Sequence, residues 1–258
     1  VPEEKRGATQ HAVTSFRQIS RDDAYVNVLR GTIACFAAAA GGAEIQTVLP
    51  LDAAIGLPDL GSRRIARNTQ VLLAEESHLS RVNDPAGGSW YVESMTKQLC
   101  EKAWDLFGAL DEDGFAAAVA DGAISAQITE TNEARAKLLA TRKLPLTGVS
   151  MFPDPTQETP QRKPRPKTPE LGGLRPIRDA KVFEDLRDRS RAAAQAGAPP
   201  KVMLACLGAR RDFGAREGFT SNLFRVGGLE TPLVEGSEPE DFARQLTETG
   251  SRIAVLCS

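Results

Sequence analysis

Histidine is nearly missing from this chain: only His11 and His78, among 258 residues, carry an imidazole. With no third histidine, and none in the second half, a zinc or haem site of the usual ligand set is not expected there. Cysteine is sparse as well. Cys35, Cys100, Cys206 and Cys257 lie far apart, no two form a Cys-x-x-Cys pair, and each falls in an apolar stretch. Free buried thiols in a reducing cytoplasm are the expectation, rather than disulfides or a metal cage. No apolar run reaches the roughly 18–20 residues a bilayer span needs. The most apolar stretch, residues 33–40, is alanine-rich and stops at Gly41-Gly42, so it reads as a buried helix. A dominant charge is missing too: with a net charge of −2, the chain lacks the electrostatic footprint of a nucleic-acid or membrane surface. The glycines of Asp-Pro-Ala-Gly-Gly-Ser (residues 84–89) follow no strand and lack G-x-G-x-x-G spacing, so no phosphate cradle is expected. No secretory leader is visible, and the chain opens at Val1-Pro2-Glu3 without Met. It ends at Ser258 just after an apolar run, and reads as a fragment of something longer.

What is present is an ordinary globular composition, 41% hydrophobic and 26% charged, long enough for one large or two ordinary domains. Residues 11–14 can form a short strand. Ser20 and Asp23 have the S-x-x-D spacing of a capping box and predict a helix from 20 to 40. Its buried face would carry Val26, Leu29, Ile33, Phe36 and Ala37, recurring at three and four residues. Residues 43–49 alternate as a strand, and a second helix covers 62–78. Trp90 and Tyr91, after the Gly87-Gly88 turn, are expected to pack inward. Helices follow at 93–110, 115–121 and 125–142. Seven prolines between Pro153 and Pro176 exclude helix and central strand, so residues 153–177 form an extended linker. Beyond it, residues 179–196 form a charged amphipathic helix with Val182, Phe183 and Leu186 as its apolar contacts. Strand, helix, strand, helix, strand (202–206, 214–226, 229–234, 238–249, 252–257) is the alternation of a doubly wound sheet. Three strands are fewer than such a sheet normally needs.

The stretch KVMLACLGARRDFGAREG (residues 201–218) leaves the first of these strands, where open α/β sheets place ligands. Read as a loop, it offers Arg210, Arg211, Asp212 and Arg216, with no histidine or serine. The arginines could hold a phosphate or carboxylate, but a solvated loop or subunit contact is the plainer reading. His78 reads as solvated, and the adjacent Glu75 and Glu76 point about 100° apart on a helix and do not form an acid/base pair. By physics alone, the chain has two domains, a proline linker and no convincing catalytic constellation.

Residues 63–93, RRIARNTQVLLAEESHLSRVNDPAGGSWYVE, are very similar to the segment that follows the barrel in methylmalonyl-CoA mutases. The upstream His11-Ala12-Val13-Thr14-Ser15 resembles that family's H-x-Q-T-S/A strand end, and the likeness continues through Thr147-Gly148-Val149 and past the linker. The resemblance implies an α/β fold in three parts. Residues 1–152 would be the C-terminal part of a (β/α)8 acyl-CoA mutase barrel with its following helices. Residues 153–177 would be the linker, and 178–258 the truncated N-terminal part of a flavodoxin-like, cobalamin-binding-type domain. It also implies a radical isomerisation of (R)-methylmalonyl-CoA and succinyl-CoA with adenosylcobalamin, in which a His of a D-x-H-x-x-G motif ligates cobalt.

Several residues depart from that pattern. Val13 stands where catalytic members have the Gln that reaches substrate, and an apolar side chain cannot replace that amide. Gln46 and Val48 stand in place of a His and an Asn. After Leu207-Gly208 the cobalt motif is replaced by Ala209, Arg210, Arg211, Asp212, Phe213 and Gly214; neither Arg210 nor Asp212 supplies an imidazole. Such a pattern resembles the small, non-catalytic subunit of heterodimeric bacterial members. It implies a catalytic large subunit as partner, adenosylcobalamin bound by that partner and none on this chain. It also implies no catalytic or metal residue here, and at most a vestigial substrate contact at His11. The same residues leave two alternatives open, an active mutase with unusual cobalt ligation and a vestigial acyl-CoA sensor. In that resemblance the proline linker is expected to wrap the partner.

Overall fold

The computed structural model describes residues 7–166 and 176–258, so residues 167–175 of the expected linker lie outside the described residues. Two parallel sheets organise the chain. The first has two strands, β1 (His11–Val13) and β2 (Ile45–Thr47), with His11 opposite Ile45 and Val13 opposite Thr47. The second has three, β3 (Val202–Leu207), β4 (Leu233–Gly236) and β5 (Ile253–Cys257), in the order β4-β3-β5. The mixed α/β class expected from the alternation is therefore present.

Helix α1 (Val26–Ala40) links β1 to β2, and it differs from expectation at both its start and its buried face. Ser20 does not cap it. The Ser20 N–H and hydroxyl both donate to Asn27 Oδ1, while Asn27 Nδ2 donates to the carbonyls of Ser20 and Leu51, each at 2.7 Å. Asp23, at φ 52°, keeps residues 20–25 out of the helix. The buried side is the stripe Asn27, Gly31 and Cys35, while Leu29, Ile33 and Phe36 are exposed. The small stripe lets the helix come close to the strand: a Cβ on Gly31 would sit 3.3 Å from Val48 Cγ1. Cys35, Val48 and Ala66 then form one small core, with Leu73 against it.

Helix α2 (Leu60–Glu75) starts two residues earlier than its pattern indicates, because the Asp59 carboxylate accepts from Ser62 N at 2.7 Å and caps it. Three further helices follow: α3 (Trp90–Asp113), α4 (Phe115–Ala120) and α5 (Ala123–Ala140). Trp90 and Tyr91 do not pack inward; Trp90 is 93% exposed at the first residue of α3, whose outer faces nothing in the chain covers among the described residues. Cys100 on the same helix is exposed, contrary to the expectation of four buried thiols, whereas Cys35, Cys206 and Cys257 are buried.

The proline segment folds back on its own chain. Leu57 N donates to Lys163 O at 2.8 Å, Arg165 donates to Ala53 O, and Arg162 bridges Asp52 and Asp59. Helix α6 (Lys181–Gln195) follows. Of its three expected apolar contacts only Phe183 is buried, whereas Val182 and Leu186 are exposed. Helices α7 (Arg210–Val226) and α8 (Pro239–Glu248) connect the three strands of the second sheet. The described helices contain no segment long and apolar enough to cross a membrane.

Candidate functional site

Alternation along β1 and β2 sorts the expected site residues onto opposite faces. His11, Val13, Ile45 and Thr47 share the open face; Ala12, Gln46 and Val48 face α1 and α2. His11 Nε2 lies 2.9 Å from Thr47 Oγ1, a contact within one exposed surface that orients the ring without activating it. Val13 beside it is about half exposed and offers no hydrogen bond. Gln46 is not brought to His11. Its carboxamide lies against α1, with the nitrogen donating to Cys35 O (3.0 Å) and the oxygen accepting from Ala39 N (3.2 Å). A cavity of about 310 Å³ opens behind this face, lined by Cys35, Gln46, Gln70, Leu73 and Ser80 among others. It holds no general base paired with a nucleophile, and burial pushes the Cys35 thiol up from its ordinary value, away from reactivity.

The second candidate, residues 207–218, is not a loop. Strand β3 ends at Leu207, Gly208 turns the chain at φ +87°, and α7 begins at Arg210. Ala209 has no side chain to cap with, so the cap is made from inside: Asp212 Oδ2 accepts from Ala209 N at 3.0 Å. Acidic charge in the first turn also suits the helix dipole. Phe213, 1% exposed, packs on Leu204, Cys206 and Cys257 and fills the space over the central strand. Arg210, Arg211 and Arg216 point to solvent; Arg211 reaches only Asp212, at 3.6 Å between exposed groups. Cys206 and Cys257 face each other across β3 and β5, and burial with the neighbouring thiol pushes Cys206 up to about 11. Among the described residues no cluster of three or more His, Cys, Asp or Glu is placed to hold a metal ion.

The densest chemistry lies where sequence reading did not look. Glu184, Arg187 and Asp22, almost fully buried, tie α6 to the segment before α1. Arg178 grips Glu184 with two parallel bonds (2.8 and 2.6 Å), and Arg21 N donates to the same carboxylate at 2.7 Å. Arg187 donates to Val149 O (2.8 Å) and Val226 O (3.1 Å) and faces Asp22 at 3.4 Å. Arg191 completes Asp22 at 2.8 Å. Burial lowers the Arg187 guanidinium from its ordinary value, and Asp22 opposes that shift. The signal was available: 184, 187 and 191 recur at three and four residues and form a charged stripe beside Phe183. Every strong donor and acceptor in it is matched internally, so it holds parts together and leaves nothing free to act on a substrate.

The family model described as methylmalonyl-CoA mutase matches residues 3–217. The chain is similar to the methylmalonyl-CoA mutase small subunit of Propionibacterium freudenreichii subsp. shermanii, 48% identical over 260 residues. That match covers 100% of this chain and 40% of the relative. The protein of the same name from Streptomyces virginiae is 47% identical over 253 residues, 96% of this chain and 41% of its own length. The methylmalonyl-CoA mutase of Escherichia coli (strain K12) is 38% identical over 143 residues, 55% of this chain and 20% of its own length. The chain thus spans about two fifths of the small-subunit relatives it matches. A family match running from before β1 through the first turns of α7 leaves one assignment: this chain belongs to the methylmalonyl-CoA mutase family.

Proposed function

We propose that this chain is part of the small subunit of a heterodimeric methylmalonyl-CoA mutase. The subunit would work in the cytoplasm, supporting the adenosylcobalamin-dependent radical isomerisation of (R)-methylmalonyl-CoA and succinyl-CoA carried out by its large subunit. The carrying observation is the end of β3. Where a cobalamin-binding member needs an imidazole on an open loop, this chain starts α7 at Arg210, closes its first turn with Asp212 and fills the space over the sheet with Phe213. The residues present do not fit cobalt: guanidinium donates only, and the Asp212 carboxylate is engaged by Ala209 N. No catalytic step is assigned to this chain. The two small-subunit relatives match 96–100% of the chain, whereas the Escherichia coli mutase matches 55%, which supports the same branch.

In this reading residues 1–152 belong to the closing part of a (β/α)8 barrel, 153–177 to the linker and 178–258 to a cobalamin-type domain. The parallel pair β1-β2, with helices on one face and the other face open, supports the first assignment. The order β4-β3-β5, first strand central, supports the last, since a flavodoxin-like sheet begins 2-1-3. His11 is at most a vestigial substrate contact, its ring engaged with Thr47.

Absorption and electron paramagnetic resonance spectra of the chain titrated with cobalamin test the reading. No spectral change is expected up to high micromolar cobalamin, and mutase turnover should require addition of a large subunit. A base-off, histidine-ligated cobalt spectrum from this polypeptide alone would overturn it.

A further inference from the structure

Two buried thiols take no part in the proposed function, and they lie side by side. Cys206 on β3 and Cys257 on β5 are partners in the parallel register. Both are free and fully buried, and both pack with Leu204 beneath the Phe213 ring. They sit at the ends of their strands, β3 stopping at Leu207 and β5 at Cys257. Gly208 then turns the chain into α7, whose first turn carries Phe213 over the pair. The Cys206 sulfur lies 3.8 Å from Leu204 O and the Cys257 sulfur 3.9 Å from Val255 O, contacts weak enough to give way.

Neighbouring strands lie about 4.7–4.9 Å apart, within the roughly 4.4–6.8 Å between Cα atoms that a disulfide spans. The Cβ atoms fit less well. In register on parallel strands they stay about as far apart as the strands themselves, whereas a relaxed disulfide holds them at about 3.5–4.5 Å. A bond here forms only by drawing the two strand ends together, and a disulfide strained in this way is easily reduced again. It belongs to oxidising conditions and is absent where glutathione keeps thiols reduced.

We propose that Cys206 and Cys257 are a reversible oxidation site, closed to a cross-strand disulfide by a peroxide and coupled through Phe213 to the start of α7. One thiolate attacks the peroxide O–O bond and becomes a sulfenic acid, and its proton leaves with the departing hydroxide as water. The other sulfur then displaces the sulfenic hydroxyl, which takes the second thiol proton and leaves as water. In all, two thiols lose two electrons and two protons, and hydrogen peroxide is reduced to two waters. The first step is slow. Burial beside another thiol holds the Cys206 proton up to about 11, and the peroxide enters only when the first turn of α7 opens. The second step is fast, because the partner sulfur is already in place. Drawing the sulfurs together removes part of the surface under the Phe213 ring, so the turn from Ala209 to Phe213 loosens. None of this depends on the small-subunit assignment.

The test uses the folded full-length protein carrying Cys100→Ser, which removes the exposed thiol. It is held with hydrogen peroxide at mildly alkaline pH for hours, digested without reduction and mapped by mass spectrometry. Expected is a linked pair of peptides containing Cys206 and Cys257, lighter by two hydrogens, in about half of the chains or more and returned to free thiols by glutathione. Cys257→Ser should abolish the link. Amide hydrogen exchange over residues 209–213 should run about threefold faster or more in the bridged form. Two thiols that stay free, or that pass separately to sulfinic acids, would overturn the proposal. So would a link that appears only after urea has unfolded the chain. A bridged form with unchanged exchange over residues 209–213 would overturn the coupling to α7.

Discussion

Replacing Arg187 with methionine keeps much of the side-chain length and removes the guanidinium at the centre of the α6 cluster. Arg187 donates to Val149 O at 2.8 Å and to Val226 O at 3.1 Å, and it faces Asp22 at 3.4 Å. Asp22 would not be stranded, since Arg191 at 2.8 Å and Arg21 at 3.6 Å remain beside it. The two carbonyls would lose their guanidinium donor. Each unsatisfied buried acceptor costs roughly 1–3 kcal/mol, and removing one member of a buried ion pair roughly 3–5 kcal/mol in all. With Asp22 still paired, the lower part of that range applies, about 3–4 kcal/mol. Near the midpoint this corresponds to a Tm lower by about 6–16 °C, at roughly 2–4 °C per kcal/mol for a domain of this size. Urea unfolding followed by circular dichroism gives the free energy by linear extrapolation. Arg244→Ala, which removes an exposed pair with Asp241 on α8, is the control and should stay within about 0.5 kcal/mol. A double-mutant cycle of Arg187→Met with Asp22→Asn should show coupling of about 1 kcal/mol or more. A loss below about 1 kcal/mol for Arg187→Met, with no coupling, would refute the view that this cluster carries the junction.

Asp52, fully buried, accepts from Ser62 Oγ at 2.9 Å and from Arg162 of the proline segment, so Asp52→Asn should loosen residues 161–165 from the chain. Limited proteolysis there should accelerate several-fold, and an unchanged cleavage rate would contradict the clasp. Native alkylation near pH 8 should label Cys100 first, with Cys206 and Cys257 reacting only on unfolding; equal rates would count against their burial. Cys206 holds its proton up to about 11 in the fold against an ordinary 9.0. Its contribution to stability is therefore full below about pH 9 and lost as pH rises through about 11, a loss that Cys206→Ala should abolish. Burial alone would raise the Asp188 carboxyl, but bonds from Arg21 and Arg191 outweigh it and hold it below its ordinary 3.8. That contribution is complete above about pH 4 and lost as pH falls through the folded value, so Asp188→Asn should flatten the acid limb of stability against pH. An acid limb identical to that of the parent protein would sink this assignment.

The C-terminal alternation was readable because its signals agree. Val202 to Cys206 is a continuous apolar run buried on both faces, Gly208 ends it, and the helices and flanking strands repeat at the spacing of parallel units. The start of α7 was not readable in the same way. A glycine followed by two arginines looks like a loop, and the capping group sits three residues inside the helix at Asp212. The reversed face of α1 has another cause. VNVLRGTIACFAAAA is apolar or small on almost every side, so periodicity does not choose a face. The choice was made by close approach, which favours Gly31 and Cys35 over Leu29 and Phe36. Trp90 and Tyr91 were expected inside after the Gly87-Gly88 turn, but both are exposed, and nothing among the described residues covers them. The site at β1 and β2 was half legible: His11 and Val13 share a face as alternation requires, while Gln46 belongs to the opposite one.

By itself the sequence determined which chemistry is missing. An imidazole is present or absent regardless of folding, and the residues after Leu207-Gly208 contain none. It also determined the family, because a long ordered match in residue identity needs no coordinates. Only the tertiary structure decided that the replaced motif is the closed first turn of a helix, sealed by Asp212 and Phe213. It alone joined Asp22 to Arg187, 165 residues away, and set Cys206 beside Cys257 beneath Phe213. Burial and partnership are properties of positions in space, and groups so distant along the chain acquire them only once the backbone has brought them together.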